Sequence, residues 1–263
     1  MYDFEKFLGA EKEEYKILQH TLKAESNKKI ISFSVYGDKP IYLKGAETNI
    51  DEAEKVYPDW TCRFYVSNSV PTPIIETLQS FKNTEVVRVS YEDDWRGKLW
   101  KLFALEDSSI SVVIFRDTDS RLTQRDFFAV EDWIRTNFAI HIVRDHPFHN
   151  PVPIPSSSWG LLCEKFRWIP ADLRVWLSSF GTDTISQDEI LYGTMYADLL
   201  NTCENVTIEC DKRLKNIFCN SFPNFKNSFI NFGEISANNQ LLKNYDNVIY
   251  AGSLGKFFRN KVD

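Results

Sequence analysis

The sequence predicts an α/β fold, a mainly parallel central sheet with helices on both faces. Three observations predict it. Apolar, β-branched runs recur at residues 29–35, 62–66, 85–89, 112–115 and 140–143. Segments with helical spacing of apolar residues lie between them, at 42–57, 72–81, 98–106 and 123–137. Such alternation marks a parallel sheet covered on both sides. Small or charged clusters also follow several of the runs directly, and the carboxyl ends of parallel strands are where such sheets bind ligands.

In chain order, residues 3–24 are rich in Glu, Lys and Leu, with Phe7, Tyr15, Leu18 and Leu22 at roughly helical spacing, as in an amphipathic helix or a pair of turns. The strand at 29–35 stops at Tyr36-Gly37-Asp38, where Gly37 permits a plain turn or a close backbone approach to a ligand. The helix at 42–57 carries small and acidic residues and ends before Pro58. Thr72 is expected as the cap of the next helix, with Pro73 at its first position and Ile75, Leu78 and Phe81 toward the core. Leu99, Leu102, Phe103 and Leu105 form the apolar face of a short helix over 98–106. Thr123 and Asp126 have capping-box spacing, opening a helix to about Asn137 with Phe127, Val130 and Ile134 on one stripe. Alternating prolines from Asn150 onward forbid a helix, and Ser156-Ser157-Ser158-Trp159-Gly160 suggests backbone near a cleft. Residues 171–180 and 186–200 look helical, and the remainder is less patterned. No internal repeat or long linker is visible. The expected organisation is a single domain over 1–263: an N-terminal helical extension (1–28), a binding core (29–200) and an irregular C-terminal part (201–263).

Composition narrows the function. A hydrophobic share of 43% and a charged share of 26% fit a soluble globular protein, and 14% aromatic residues can fill a large core. The net charge of -6 argues against a general nucleic-acid binder, though it leaves room for a local basic pocket. No apolar run approaches the roughly 18 residues of a membrane span. The charged stretch Met1 to Glu14 carries no signal-peptide pattern. Five cysteines, none in a Cys-x-x-Cys pair, read as free thiols in a reducing compartment, so a cytoplasmic location is expected; a single disulfide is the alternative. The sequon at Asn205 matters only on a secretory route.

The chemistry concentrates where Val112-Val113-Ile114-Phe115 runs into Arg116-Asp117-Thr118-Asp119-Ser120-Arg121. Strand-like alternation would place Asp117 and Asp119 on one side of the chain. Two carboxylates there repel unless something positive lies between them. Mg²⁺ or Mn²⁺ does this, and can then hold the phosphates of a nucleotide. The same residues also suit a surface turn. Arg116 and Arg121 have the planar fork that suits phosphate, or they neutralise the aspartates.

These residues belong to an ordered set: Tyr36-Gly37, Gly45-Ala46-x-x-Asn49, Tyr57-Pro58-Asp59-Trp60, Arg63-Phe64-Tyr65, Val70-Pro71, Arg116 to Arg121, Arg144-Asp145-His146-Pro147-x-His149, Trp159-Gly160 and Ser186 to Tyr192. With this set the chain resembles nucleotide-sugar-dependent glycosyltransferases of the GT-A type, in particular a small group from bacteria and large DNA viruses. The resemblance implies one α/β domain that transfers a sugar from a UDP- or GDP-linked donor to a hydroxyl acceptor, a glycan foremost. It implies that Asp117 and Asp119 hold Mn²⁺ or Mg²⁺ on the diphosphate. It places Tyr36, Gly37 and Arg63 near the base or ribose, Lys101 near phosphate with Lys98 as its rival, and Arg121 on the ligand or the aspartates. The chain departs from the family in having no histidine after His149, where a late metal ligand is usual. A carboxylate such as Asp188 or Asp145 would then assist.

An inverting transfer needs a general base, for which Asp188 or Asp145 is available; Asp188 also suits a helix cap. His146, beside Asp145 at a strand end, is a candidate for acceptor contact, metal ligation or loop support. Trp159 is the better of two tryptophans as a sugar platform, Trp95 being the other. His141 follows the strand pattern and reads as structural. The competing functions are a non-catalytic glycan- or nucleotide-binding protein, a phosphatase using Asp117 as nucleophile, and a nucleotidyltransferase. The phosphatase pattern lacks its later Thr, since Arg121 stands there, and the nucleotidyltransferase pattern lacks a basic Gly-rich first loop.

Overall fold

The computed structural model describes residues 17–90, 95–143, 154–166, 206–210, 220, 229–231 and 247–251. The chain divides into two compact units, Met1–Glu131 with Cys163–Asp188, and Asp132–Leu162 with Glu189–Asp263. The first unit contains β1 (Ile17–His20), β2 (Lys28–Val35), α1 (Pro40–Val56), β3 (Thr61–Val66), α2 (Thr72–Ser80), β4 (Thr84–Val89), a run of 3-10 turns (Trp95–Glu106) and β5 (Ile110–Phe115). Its strands lie in the order β1-β4-β3-β2-β5. All pair in parallel except β1, which runs antiparallel to β4. The expected mainly parallel α/β sheet is therefore present.

The order explains where helices lie. The chain steps from β2 to β3 to β4 in one direction, then jumps back to β5 on the other side of β2. Crossovers are right-handed, so this reversal puts α1 and α2 on one face and the 3-10 run on the other. Side chains agree. Ser32 and Ser34 share a face, and their hydroxyls donate to the carbonyls of Lys101 (2.7 Å) and Lys98 (3.3 Å). Ser34 Oγ also accepts the Lys101 N–H at 2.9 Å. Two small polar residues in a buried strand thus let the 3-10 backbone come close and supply its bonds. On the opposite face Phe33 stacks on Phe64, centroids 5.0 Å apart. Burial on both faces is why these strands read as continuous apolar runs: Ile30, Ile31, Phe64, Val113 and Ile114 are all at 0% exposure.

Several local expectations are corrected. Of the helix or turns expected over 3–24, residues 3–16 lie outside the described residues, and Ile17–His20 is a strand, with all four residues exposed on the sheet edge. Pro71, not Thr72, caps α2, and no side chain caps it, while Ile75 and Leu78 are buried as expected. Thr123 does cap α3 (Gln124–Thr136), its hydroxyl accepting the Asp126 N–H at 3.2 Å. The short helix at 98–106 is instead a longer 3-10 run whose residues 99–104 are all buried.

In the second unit, β6 (Ile140–Ile142) lies between β7 (Trp159–Leu162) and β10 (Asn247–Ala251), followed by β8 (Val206–Cys210) and β9 (Phe229–Asn231). Among the described residues of this unit the β6–β7 pair is antiparallel and the other pairs are parallel. Three strands thus occupy the C-terminal part expected to be irregular. Asn137, at φ 57°, ends α3 in the left-handed region, which Asn tolerates. Trp133 donates its ring N–H to the Phe138 carbonyl at 2.6 Å and stacks on buried His141, confirming a packing role for that histidine. The helices expected at 171–180 and 186–200 lie outside the described residues. Among the described residues no helix is long and apolar enough to cross a membrane. Cys62 and Cys163 are buried, and burial pushes the Cys62 thiol up, with Glu54 adding to the effect.

Candidate functional site

The chain changes direction between β2 and β5, and open parallel sheets bind ligands outside the carboxyl ends of strands at such a point. The residues leaving these two ends are Tyr36-Gly37 and Arg116 to Arg121. Arg116 turns inward. It is 5% exposed, donates Nη2 to Asp126 Oδ1 at 2.8 Å, and donates Nη1 to its neighbour's carbonyl, Phe115 O, at 2.8 Å. Tyr57 from the end of α1 donates its hydroxyl to the other Asp126 oxygen at 2.7 Å. Burial, then the Asp126 charge, push the Tyr57 phenol well up, so it stays a proton donor. Arg116 therefore ties the loop to the first turn of α3.

Beyond Arg116 the chain does not continue as a strand. Ser120 N–H donates to Asp117 O at 3.1 Å, closing a turn over Asp117-Thr118-Asp119-Ser120. Thr118 is 2% exposed, while the Asp117 side chain is 35% exposed and Asp119 is exposed. Asp119 is thus exposed and Asp117 half-buried, on a turn where strand alternation was expected. The Lys101 ammonium, from the buried 3-10 run, meets Asp117 Oδ1. Lys98, its rival, is half-buried and accepts Ser34 at its carbonyl. Arg121 curls back, its Nη1 donating to Thr118 O (2.9 Å) and Ser120 O (3.0 Å). It braces the turn with its side chain still exposed.

A second brace comes from α1. Asn49, fully buried, donates Nδ2 to Thr118 O (3.1 Å) and Ser120 O (2.9 Å), and its Oδ1 accepts the Leu122 N–H at 3.3 Å. One helical turn earlier, Gly45 lies so close that a Cβ would stand 2.0 Å from Thr118 O. Both residues stand in the motif set of the sequence, where their spacing alone does not reveal this contact. The available signal was a pair of poor helix formers, Gly and Asn, on one helix face.

The carboxylates of Asp117 and Asp119 are the donors this turn offers a divalent ion. Among the described residues no group of three or more His, Cys, Asp or Glu could hold a metal. Mg²⁺ commonly uses one or two carboxylates, with water and substrate phosphate completing its shell. Asp117 and Asp119 match that donor set, and Lys101 leaves one negative charge of the pair uncompensated.

Tyr36, half-buried, lies edge-on to buried Trp100, centroids 6.0 Å apart. A Cβ on Gly97 would come within 2.7 Å of the Tyr36 ring, so that ring rests on bare backbone. Gly37, at φ +73°, uses the conformation glycine permits and donates its N–H to Ser69 Oγ at 2.9 Å. Tyr36, Gly37, Lys101, Asp117, Asp119 and Arg121 are thus gathered around the ends of β2 and β5.

Two expected site residues are elsewhere. Arg63 is 1% exposed, with Nε on Glu85 Oε2 (2.8 Å) and Nη2 on Asp107 Oδ2 (2.7 Å). A guanidinium committed to two acids inside the protein does not reach a base or ribose. Trp159 is 0% exposed in β7, so its ring has no open face for an acceptor sugar. Asp145, His146 and Asp188 lie outside the described residues.

No family model and no curated protein matches the sequence. Among solved structures, the chain is similar to 4-diphosphocytidyl-2C-methyl-D-erythritol synthase from Anaerococcus prevotii, at 11% identity and TM-score 0.40 over 64% of this chain and 83% of that one. It is also similar to the mannosyltransferase PcManGT from Pyrobaculum calidifontis, in complex with GDP-Man and Mn²⁺, at 13% identity and TM-score 0.43. That match covers 74% of this chain, which spans 57% of the mannosyltransferase.

Proposed function

We propose that the chain is a metal-dependent glycosyltransferase of GT-A type, binding a UDP- or GDP-linked sugar at the carboxyl ends of β2 and β5. The observation that carries this reading is Lys101 set on a half-buried Asp117, in a braced turn that leaves Asp119 exposed. In glycosyl transfer negative charge develops on the leaving diphosphate. A cation on the two aspartates and the nearby ammonium would stabilise it. Tyr36 offers the exposed part of its ring to a base. The acceptor is a hydroxyl, foremost on a glycan. Asp145 or Asp188 takes its proton if the transfer inverts, and His146 contacts the acceptor.

The test is a thermal-shift panel of UDP, GDP and their sugars with and without Mn²⁺, since a ligand of the native state raises apparent stability. The expected result is a Mn²⁺-dependent shift that disappears in Asp119→Ala. A panel with no nucleotide shift overturns the reading.

A further inference from the structure

We infer that Asn49 is a positioning residue for the Asp117–Asp119 turn: it fixes the backbone carbonyls on either side of Asp119 and thereby sets the affinity of the site for a divalent cation. This inference rests on the proposed metal site and adds a residue that does not itself face the ligand.

A turn that carries two carboxylates within three residues must be held in shape if it is to receive a cation, and Lys101 meets only the first of them. Asn49 is suited to this. It is fully buried in α1, and its amide serves three backbone groups at once: the Thr118 and Ser120 carbonyls through Nδ2, and the Leu122 N–H through Oδ1. These groups flank Asp119 on both sides. Asn is a poor residue for a helix interior, and a hydrophobic residue would serve the core better there. Gly45 reinforces the point, since any larger residue would displace Thr118. Two unfavourable helix choices on one face therefore serve a single end, close and fixed contact with the turn. Partners hydrogen-bonded to metal ligands alter metal affinity about 10- to 100-fold when lost, and Asn49 acts one step further out, on the backbone that carries the ligands.

The test compares wild-type protein with Asn49→Ala and Gly45→Ala, the latter disturbing the same turn from a second residue. Folding is checked by circular dichroism, and Mn²⁺ affinity is measured from the free Mn²⁺ electron paramagnetic resonance signal, with and without UDP or GDP. Nucleotide binding in EDTA is measured alongside. The expected result is Mn²⁺ affinity weakened about 10-fold or more in both variants, with nucleotide binding in EDTA unchanged. A residue with only a packing role would lower thermal stability without moving Mn²⁺ affinity. Wild-type affinity in folded Asn49→Ala overturns the inference and leaves the proposed function standing. Absence of Mn²⁺ binding in wild type with every nucleotide overturns both.

Discussion

The Lys101 ammonium rests on the Asp117 carboxylate, although one residue precedes β5 and the other follows it. The Lys101 side chain is 0% exposed and Asp117 is 35% exposed. The pair is thus a buried cation whose partner opens to solvent. Before any ligand is present, Lys101 already serves as a counterion to the aspartate pair. Removing it should have two opposite effects. In Lys101→Met, Mn²⁺ alone should bind more tightly, by up to about fivefold if the half-exposed pair contributes about 1 kcal/mol. Diphosphate should bind more weakly, because a charge near it is gone. Mn²⁺ titration and UDP or GDP titration in EDTA read these separately. Movement of both affinities in the same direction would contradict the assigned role.

Gly97 allows the Tyr36 ring to lie against backbone. In Gly97→Ala the new methyl would press on that ring, and overpacking of this kind costs about 1–3 kcal/mol. Tyr36 should tilt away from Trp100. The expected outcome is a lower urea midpoint, a changed near-ultraviolet circular dichroism signal and weaker nucleotide binding. An unchanged midpoint with unchanged binding would mean that the ring has room to spare.

Asp126 joins Arg116 to Tyr57 beneath the turn. Asp126→Asn leaves a nearly buried guanidinium without its countercharge and should lower stability by about 3 kcal/mol or more. Tyr57→Phe removes only one hydrogen bond and should cost about 1 kcal/mol. Urea denaturation of the two variants should preserve that ranking.

How much of this was legible depended on whether the signal was local. The strands from β2 to β6 stood out because burial on both faces makes their apolar runs continuous, and the aspartates stood out because charge follows β5 at once. Arg63 was misplaced because a strand pattern cannot tell an exposed Arg from a buried one whose partner, Glu85, sits on the next strand. Trp159 was misplaced because its neighbouring serines, glycine and prolines mimic a loop, whereas β6 pairs with it through Ile142. The strand at Ile17–His20 carries no burial pattern at all, since all four residues are exposed. In the C-terminal part, β8, β9 and β10 are three to five residues long, too short for periodicity to register. The brace from Asn49 to the turn joins residues far apart in sequence, and no local rule could pair them.

Acid should unfold the protein from a cluster remote in role from the aspartates. Glu85 is fully buried and accepts Lys28 Nζ (2.9 Å), Arg63 Nε (2.8 Å) and the Lys23 N–H (2.8 Å). Asp107 accepts Arg63 Nη2 (2.7 Å) and both the N–H (2.9 Å) and hydroxyl (2.6 Å) of Ser109. Burial alone would raise both carboxyls. The Arg63 charge and the donors outweigh it, holding Glu85 below its ordinary 4.5 and Asp107 below its ordinary 3.8. Each group therefore binds its proton less readily folded than unfolded. Its stabilising effect is complete above the ordinary value and is lost as pH falls through the lower folded one. Urea midpoints should be level from neutral pH to about 5 and then decline as the carboxyls of the unfolded chain take up protons. In Glu85→Gln the midpoint should already be reduced at pH 7, since Arg63 and Lys28 lose a countercharge. Its acid decline should be shallower than wild type, because one proton-uptake step is missing. A Glu85→Gln curve that runs parallel to wild type below pH 5 would remove Glu85 from the origin of the acid sensitivity and leave Asp107 to carry it.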